Sequence, residues 1–171
     1  MERIPPNPDP LTVSQTGLDL VWQWLDGDLV PYREAWTWQR EYLAARKAAI
    51  AQGQTDLADV LLTVEHPPTY TLGRGSNRDF VKFEPTAPGW DLIEIERGGE
   101  VTYHGPGQWV GYPLLNLRQY QTDLHWYLRQ LEEVLIVAIG HWGLQAERIP
   151  GLTGVWVAAV SYTHLRAHET V

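Results

Sequence analysis

Between Arg97 and Gln108 the chain reads Arg-Gly-Gly-Glu-Val-Thr-Tyr-His-Gly-Pro-Gly-Gln, its densest run of residues able to do chemistry. Gly98 and Gly99 leave backbone N–H groups bare beside the fixed charge of Arg97. That combination can approach a carbonyl oxygen or an anionic group closely. If Glu100 to His104 is extended, Glu100, Thr102 and His104 share one face, and Val101 and Tyr103 the other. A polar face next to a glycine turn is costly to bury without a purpose. Hairpin turns whose glycines only permit positive φ are the bland alternative.

The elements that must position this lip are legible around it. Residues 18–25 predict a strand, and Pro31 to Gln52 a helix with Tyr32, Trp36, Leu43 and Ile50 on one stripe. Strands are expected over 58–64 and 69–72, with His66-Pro67-Pro68 between them. Leu92 to Glu96 alternates apolar and acidic residues, as a half-buried strand with a solvated acidic face should. Val101–His104 and Trp109–Leu117 follow as extended pieces, and Pro113 marks the second as an edge or bulge. A second helix is expected over Thr122–Trp142, capped by Thr122, with Leu124, Leu128, Leu131, Leu135 and Ile139 inward. Residues 152–157 begin a further strand. Strands interleaved with two long helices predict an α/β (α+β) layer fold.

The domain organisation expected is a flexible proline-rich arm over 1–17, a catalytic domain that is incomplete over 18–157, and a foreign tail over 158–171. In that tail SYTHLRAHET has no clear period and resembles translated sequencing-adapter text. With 171 residues the chain suffices for one domain with a real core. A net charge of −8, with 11 Arg and only Lys47 and Lys82 as lysines, speaks against a broad nucleic-acid surface. No run of apolar residues reaches membrane-helix length. The chain has no cysteine, which excludes disulfides, cysteine–zinc sites and a thiol nucleophile within it. His164 and His168 stand four apart without a third ligand, so no metal site is expected. His66, His125 and His141 read as turn or surface residues. Neither a G-x-S-x-G elbow nor a P-loop is present.

The stretch RGGEVTYHGPGQWVGYPLLNL resembles the signature of octanoyltransferases, the lipoyl(octanoyl) transferase family of lipoate biosynthesis. EHPPTYTLGR (65–74) and GLTGVWV (151–157) resemble two further family segments. The resemblance implies a mixed sheet with packed helices, the fold shared with biotin and lipoate protein ligases. It implies transfer of octanoyl from octanoyl-acyl carrier protein to an enzyme cysteine, then to a lysine of a lipoyl domain. The lipoyl domains of 2-oxoacid dehydrogenases and the glycine cleavage H protein are the acceptors it suggests. A cytoplasmic monomer, needing neither ATP nor any other cofactor nor a metal, is implied as well. By position, Arg97, Gly98, Gly99, Glu100, Val101, Thr102, Tyr103 and His104 would line the acyl and thioester pocket. The Gly98 and Gly99 amides would hold the thioester end, and His104 would lie near the reacting carbonyl. Arg74, Arg78, Arg97 and Arg148 are candidates for a basic patch that docks acidic carrier proteins.

One departure from the family is severe. Its catalytic cysteine and lysine fall beyond the GVWV segment, and neither has a counterpart here. The polypeptide is therefore expected not to turn over. Two alternatives stay open: an ATP-dependent lipoate or biotin protein ligase on the same fold, and a non-catalytic module that binds an acyl chain or lipoyl domain. Ligases of that kind carry a longer glycine run than the two consecutive glycines at 98–99.

Overall fold

The computed structural model describes residues 20–24, 29–54, 58–82, 89, 91–157 and 160–163. The expected arm at 1–17 lies outside them, as does most of the 158–171 tail, His164 and His168 included. The chain divides into two compact units, one running to Asn116 and the other from Leu117 to Glu169. The fold is mixed α/β, with two α-helices and three small sheets among the described residues.

In the first unit, β1 (Leu20–Trp24) runs parallel to β2 (Asp59–Val64), and β2 is antiparallel to β6 (Val110–Leu114). The edge strand β6 carries Pro113, which cannot donate to a ladder and is tolerated there. A second sheet is centred on β3 (Thr69–Leu72), flanked by parallel β4 (Asp91–Glu94) and antiparallel β5 (Thr102–His104). Between β2 and β3, Pro67 and Pro68 break the run and redirect it into the other sheet. Helix α1 (Tyr32–Ala51) starts after Pro31, whose missing N–H costs nothing at that position. The main core joins Val30, Ala35 and Trp38 to Val60, Leu62, Val64 and Tyr112. A smaller cluster packs Tyr32 with Ile93 and Ile95. Asp59, almost fully buried, is held by Arg46 at 2.6 Å and by the Asn116 amide at 3.0 Å.

The second unit sets α2 (Leu124–Gly140) with the antiparallel strands β7 (Ala146–Glu147), β8 (Val155–Val157) and β9 (Val160–Thr163). Its anchor is Glu132, a helix residue with no exposed surface. The carboxylate accepts from Arg129 at 2.5 Å, Arg148 at 3.0 Å and the Gly154 amide at 3.0 Å. That satisfies a charge which would otherwise be expensive to bury. The outer face of α2 leaves Val134 and Val137 in water, and Trp142, in the turn after the helix, is exposed as well.

Three expectations need correction. On α1 the buried positions are Tyr32, Ala35, Trp38 and Gln39. Of the expected stripe, Tyr32 is buried and Trp36 packs against the Tyr32, Ile93 and Ile95 cluster, while Leu43 and Ile50 are only half-buried and the centre of the inward face lies toward Ala35 and Trp38. Helix α2 is capped by Asp123, whose carboxylate accepts from the Trp126 amide at 2.8 Å, and not by Thr122. The segment after Val157, expected to lack any period, supplies strand β9, which pairs with β8. As expected, the acidic residues of the 92–96 run face solvent while Ile93 and Ile95 are buried.

Candidate functional site

The glycine lip at 97–100 follows β4 and precedes β5, and it is laced to the loop at 73–77. The Arg74 amide donates to the Arg97 carbonyl at 2.8 Å, the Ser76 hydroxyl to the Gly99 carbonyl at 3.0 Å, and the Asn77 amide to the Glu100 carboxylate at 3.0 Å. The two loops approach so closely that a Cβ on Gly73 would sit 2.3 Å from the Gly99 carbonyl oxygen. Gly99 itself takes φ +86°, a conformation other residues avoid. Gly98, Gly99 and Glu100 are exposed at the crest.

Arg97 points inward. Its guanidinium, 3% exposed as a residue, donates to the carbonyls of Gly98 (3.0 Å), Glu100 (2.9 Å) and Thr71 (2.8 Å), and to the Thr71 hydroxyl (2.8 Å). It therefore shapes the lip from behind. A guanidinium spent on four oxygens of its own scaffold has little left for an outside anion.

Beside it lies a cluster of rings. His104, on the last residue of β5, has Nε2 3.4 Å from the Thr71 hydroxyl and Nδ1 3.0 Å from Gln108 Oε1. The Tyr32 ring sits 5.1 Å from that of His66 and 5.5 Å from that of His104, and the two imidazoles meet edge-on at 5.7 Å. His66 has no exposed surface. Its Nδ1 lies 2.7 Å from the Val30 carbonyl and its Nε2 2.7 Å from the Tyr112 hydroxyl. Burial lowers the His66 pKa, opposed by the bond to Val30. Burial also raises the Tyr112 hydroxyl well above its ordinary value, reinforced by Tyr32. Tyr32 is raised by burial too, partly offset by the positive charge of Arg97 and its hydrogen bond with Tyr112. The site is thus built to keep these three groups uncharged.

The turn beyond His104 is pinned by Glu65, whose carboxylate accepts from the Gly107 amide at 2.7 Å and the Trp109 indole at 3.0 Å. Tyr103 faces the other way, half exposed, with its ring 5.0 Å from that of Tyr70. Thr102 is half-buried, and its hydroxyl meets no hydrogen-bond partner among the described residues.

The sequence-predicted residues thus separate into an exposed crest (Gly98, Gly99, Glu100), an inward brace (Arg97) and a strand whose His104 alone joins the ring cluster. His66, read from sequence as a turn or surface residue, is instead the most enclosed member of that cluster. Its two partners lie 36 and 46 positions away, so no local signal could reveal them. Tyr32, Thr71 and Tyr112 were missed for the same reason. His125 and His141 are exposed, as expected. Of the arginines considered for a basic patch, Arg78 pairs with Glu94, and Arg148 with Glu132 and Glu133. Among the described residues no three His, Cys, Asp or Glu side chains gather as metal ligands.

Comparison with known proteins places this lip and its mixed sheet in a family. The chain belongs to the lipoyl protein ligase A/B catalytic domain family, which matches residues 31–160. Within that family its relatives are octanoyltransferases. It is 54% identical to the octanoyltransferase of Thermosynechococcus vestitus, over 75% of this chain and 55% of the relative. Against that of Nostoc punctiforme it is 57% identical, over 75% and 54%. Against that of Synechocystis sp. it is 55% identical, over 75% and 55%. The chain spans about half the length of these curated relatives.

Proposed function

We propose that this chain carries the acyl-donor side of an octanoyltransferase: it grips the octanoyl thioester of an acyl carrier protein for delivery to a lipoyl-domain lysine. The observation that supports this most is the lip at 97–104, which falls inside the region shared with the octanoyltransferases. In the reading we favour, the exposed Gly98 and Gly99 amides hold the thioester end. Glu100, Val101, Thr102, Tyr103 and His104 line the approach, and Arg97 braces it. Names that specify octanoyl transfer favour this reading over an ATP-dependent ligase.

The complete reaction needs two displacements. A thiolate attacks the thioester carbonyl, forming a new thioester and expelling the carrier thiolate. A lysine amine then attacks, forming the amide, losing a proton and expelling the first thiolate. This chain has no cysteine, and its lysines, Lys47 and Lys82, precede the lip. We therefore infer that by itself it binds the donor as a monomer but does not turn it over. Titration of octanoyl-acyl carrier protein into the labelled chain, followed by NMR, is expected to shift the amides of 98–104. Octanoyl transfer to a lipoyl domain is expected to stay at the blank rate. Unmoved lip amides would overturn the binding assignment, and product above blank would overturn the inactivity. No helix among the described residues is long and apolar enough to cross a membrane.

A further inference from the structure

Two hydrogen-bond chains converge on the ring cluster, and each has its direction dictated by its ends. In the first, Arg97 can only donate, so the Thr71 oxygen accepts its proton at 2.8 Å and keeps its own O–H for another partner. His104 Nε2 stands 3.4 Å from that hydroxyl. At the far end Gln108 Oε1, a carbonyl oxygen, can only accept, so His104 Nδ1 at 3.0 Å carries the hydrogen. The Gln108 end sets the tautomer, with Nδ1 protonated and Nε2 unprotonated in the neutral ring, and the Thr71 O–H is available to donate to Nε2. In the second chain the Val30 carbonyl can only accept, so His66 Nδ1 donates and Nε2 takes the Tyr112 proton. A second imidazole held in the same neutral form, 5.7 Å from the first, adds no positive charge to the site.

We infer that Gln108 and Thr71 are positioning residues that lock His104 as the Nδ1–H tautomer, so that it offers the site a hydrogen-bond acceptor at Nε2. The geometry then dictates what His104 meets. In that form Nε2 does not donate to a carbonyl oxygen, so a donor for the reacting carbonyl has to come from elsewhere in the site. It can accept from an N–H or S–H donor of the substrate, such as a pantetheine amide or an incoming amine. The Thr71 bond, at 3.4 Å, is long and weak, so a closer donor displaces it at small cost. The identity of that donor rests on the octanoyl-transfer reading, whereas the tautomer does not.

The test uses the full chain, free of ligand and labelled with nitrogen-15 in histidine, with long-range proton–nitrogen spectra at pH 7.5. His104 is identified by its loss in His104→Ala. The expected pattern is a protonated Nδ1 and an unprotonated Nε2 for both His104 and His66. In Gln108→Ala and in Thr71→Val the His104 pattern should move toward that of the exposed His125, while Thr71→Ser should restore it. Gln108 is exposed, so its variant carries the test if Thr71→Val does not fold. A protonated Nε2 on His104, a pattern equal to that of His125 in the unaltered chain, or no response to Gln108→Ala overturns the assignment. Because no substrate is present, failure here leaves the binding experiment with carrier protein untouched, and the reverse holds too.

Discussion

Removing one oxygen, in Tyr112→Phe, should leave two buried groups without partners. The ring stays and continues to pack with Val60, Leu62 and Trp38, so little apolar burial is lost. What disappears is the hydroxyl 2.7 Å from His66 Nε2, which is also the hydrogen-bond partner of Tyr32. A buried polar group left unpaired costs about 1–3 kcal/mol, and two of them together on the order of 2–6 kcal/mol. Against a whole-domain stability of about 5–15 kcal/mol that is a large fraction. Urea unfolding at pH 7.5, followed by near-ultraviolet circular dichroism, should show a lower midpoint with an unchanged slope. Pairing the change with His66→Leu in a double-mutant cycle should give a coupling of about 1 kcal/mol or more, since the two losses share one bond. A loss below about 0.5 kcal/mol for Tyr112→Phe, with no coupling, would refute the claim that this bond holds the cluster together.

Acidification acts on the same histidine. The folded state holds the His66 pKa below its ordinary 6.5, so unfolding takes up a proton at pH values between the two. Stability should be complete above 6.5 and should fall as pH drops toward the folded value, by at most about 1.4 kcal/mol per pH unit. Urea midpoints from pH 8 to 5 check this, and His66→Gln should flatten the curve. At the other extreme the raised Tyr32 and Tyr112 should resist ionisation, so absorbance titration of tyrosinate should leave a fraction of the tyrosines titrating well above 10 until the chain unfolds. Gly73→Ala forces a Cβ onto the Gly99 carbonyl and should cost about 2 kcal/mol or more, with faster amide exchange at 97–100. Unchanged exchange there would contradict the close packing of the two loops. Glu132→Ala removes the buried partner of Arg129 and one of the two carboxylates on Arg148 and leaves the buried Gly154 amide unpaired, for an expected loss of about 1–3 kcal/mol read by hydrogen exchange within 124–157.

What the sequence discloses and what it hides divide along contact range. The alternation of Ile93 and Ile95 with Glu94 and Glu96 reports a half-buried strand because each residue's environment follows from its neighbours. Pro113 at an edge is legible for the same reason. Arg97 beside two glycines has the composition of an anion grip, yet Thr71, 26 positions earlier, takes both bonds of one of its terminal nitrogens. His66 between strand and prolines looks like a turn residue, and only the arrival of Tyr112 and Val30 makes it a buried acceptor. The cap of α2 was misplaced by a single residue because Thr122 and Asp123 are both competent caps and only the backbone decides between them. The family segments, in contrast, were readable, since their residue types are tied to short-range loop geometry.

Glu65 and His66 are adjacent at the end of β2, yet they serve different neighbours. The Glu65 carbonyl receives the Val30 amide at 2.8 Å just ahead of α1, its carboxylate holds the 107–109 turn, and His66 returns a bond to the Val30 carbonyl. Two consecutive residues therefore act as a rivet through three separate stretches of polypeptide. A backbone cut in the loop at 73–77 would leave the pieces on either side still fastened there, so nicking at that exposed loop should be tolerated far better than its place in the chain suggests.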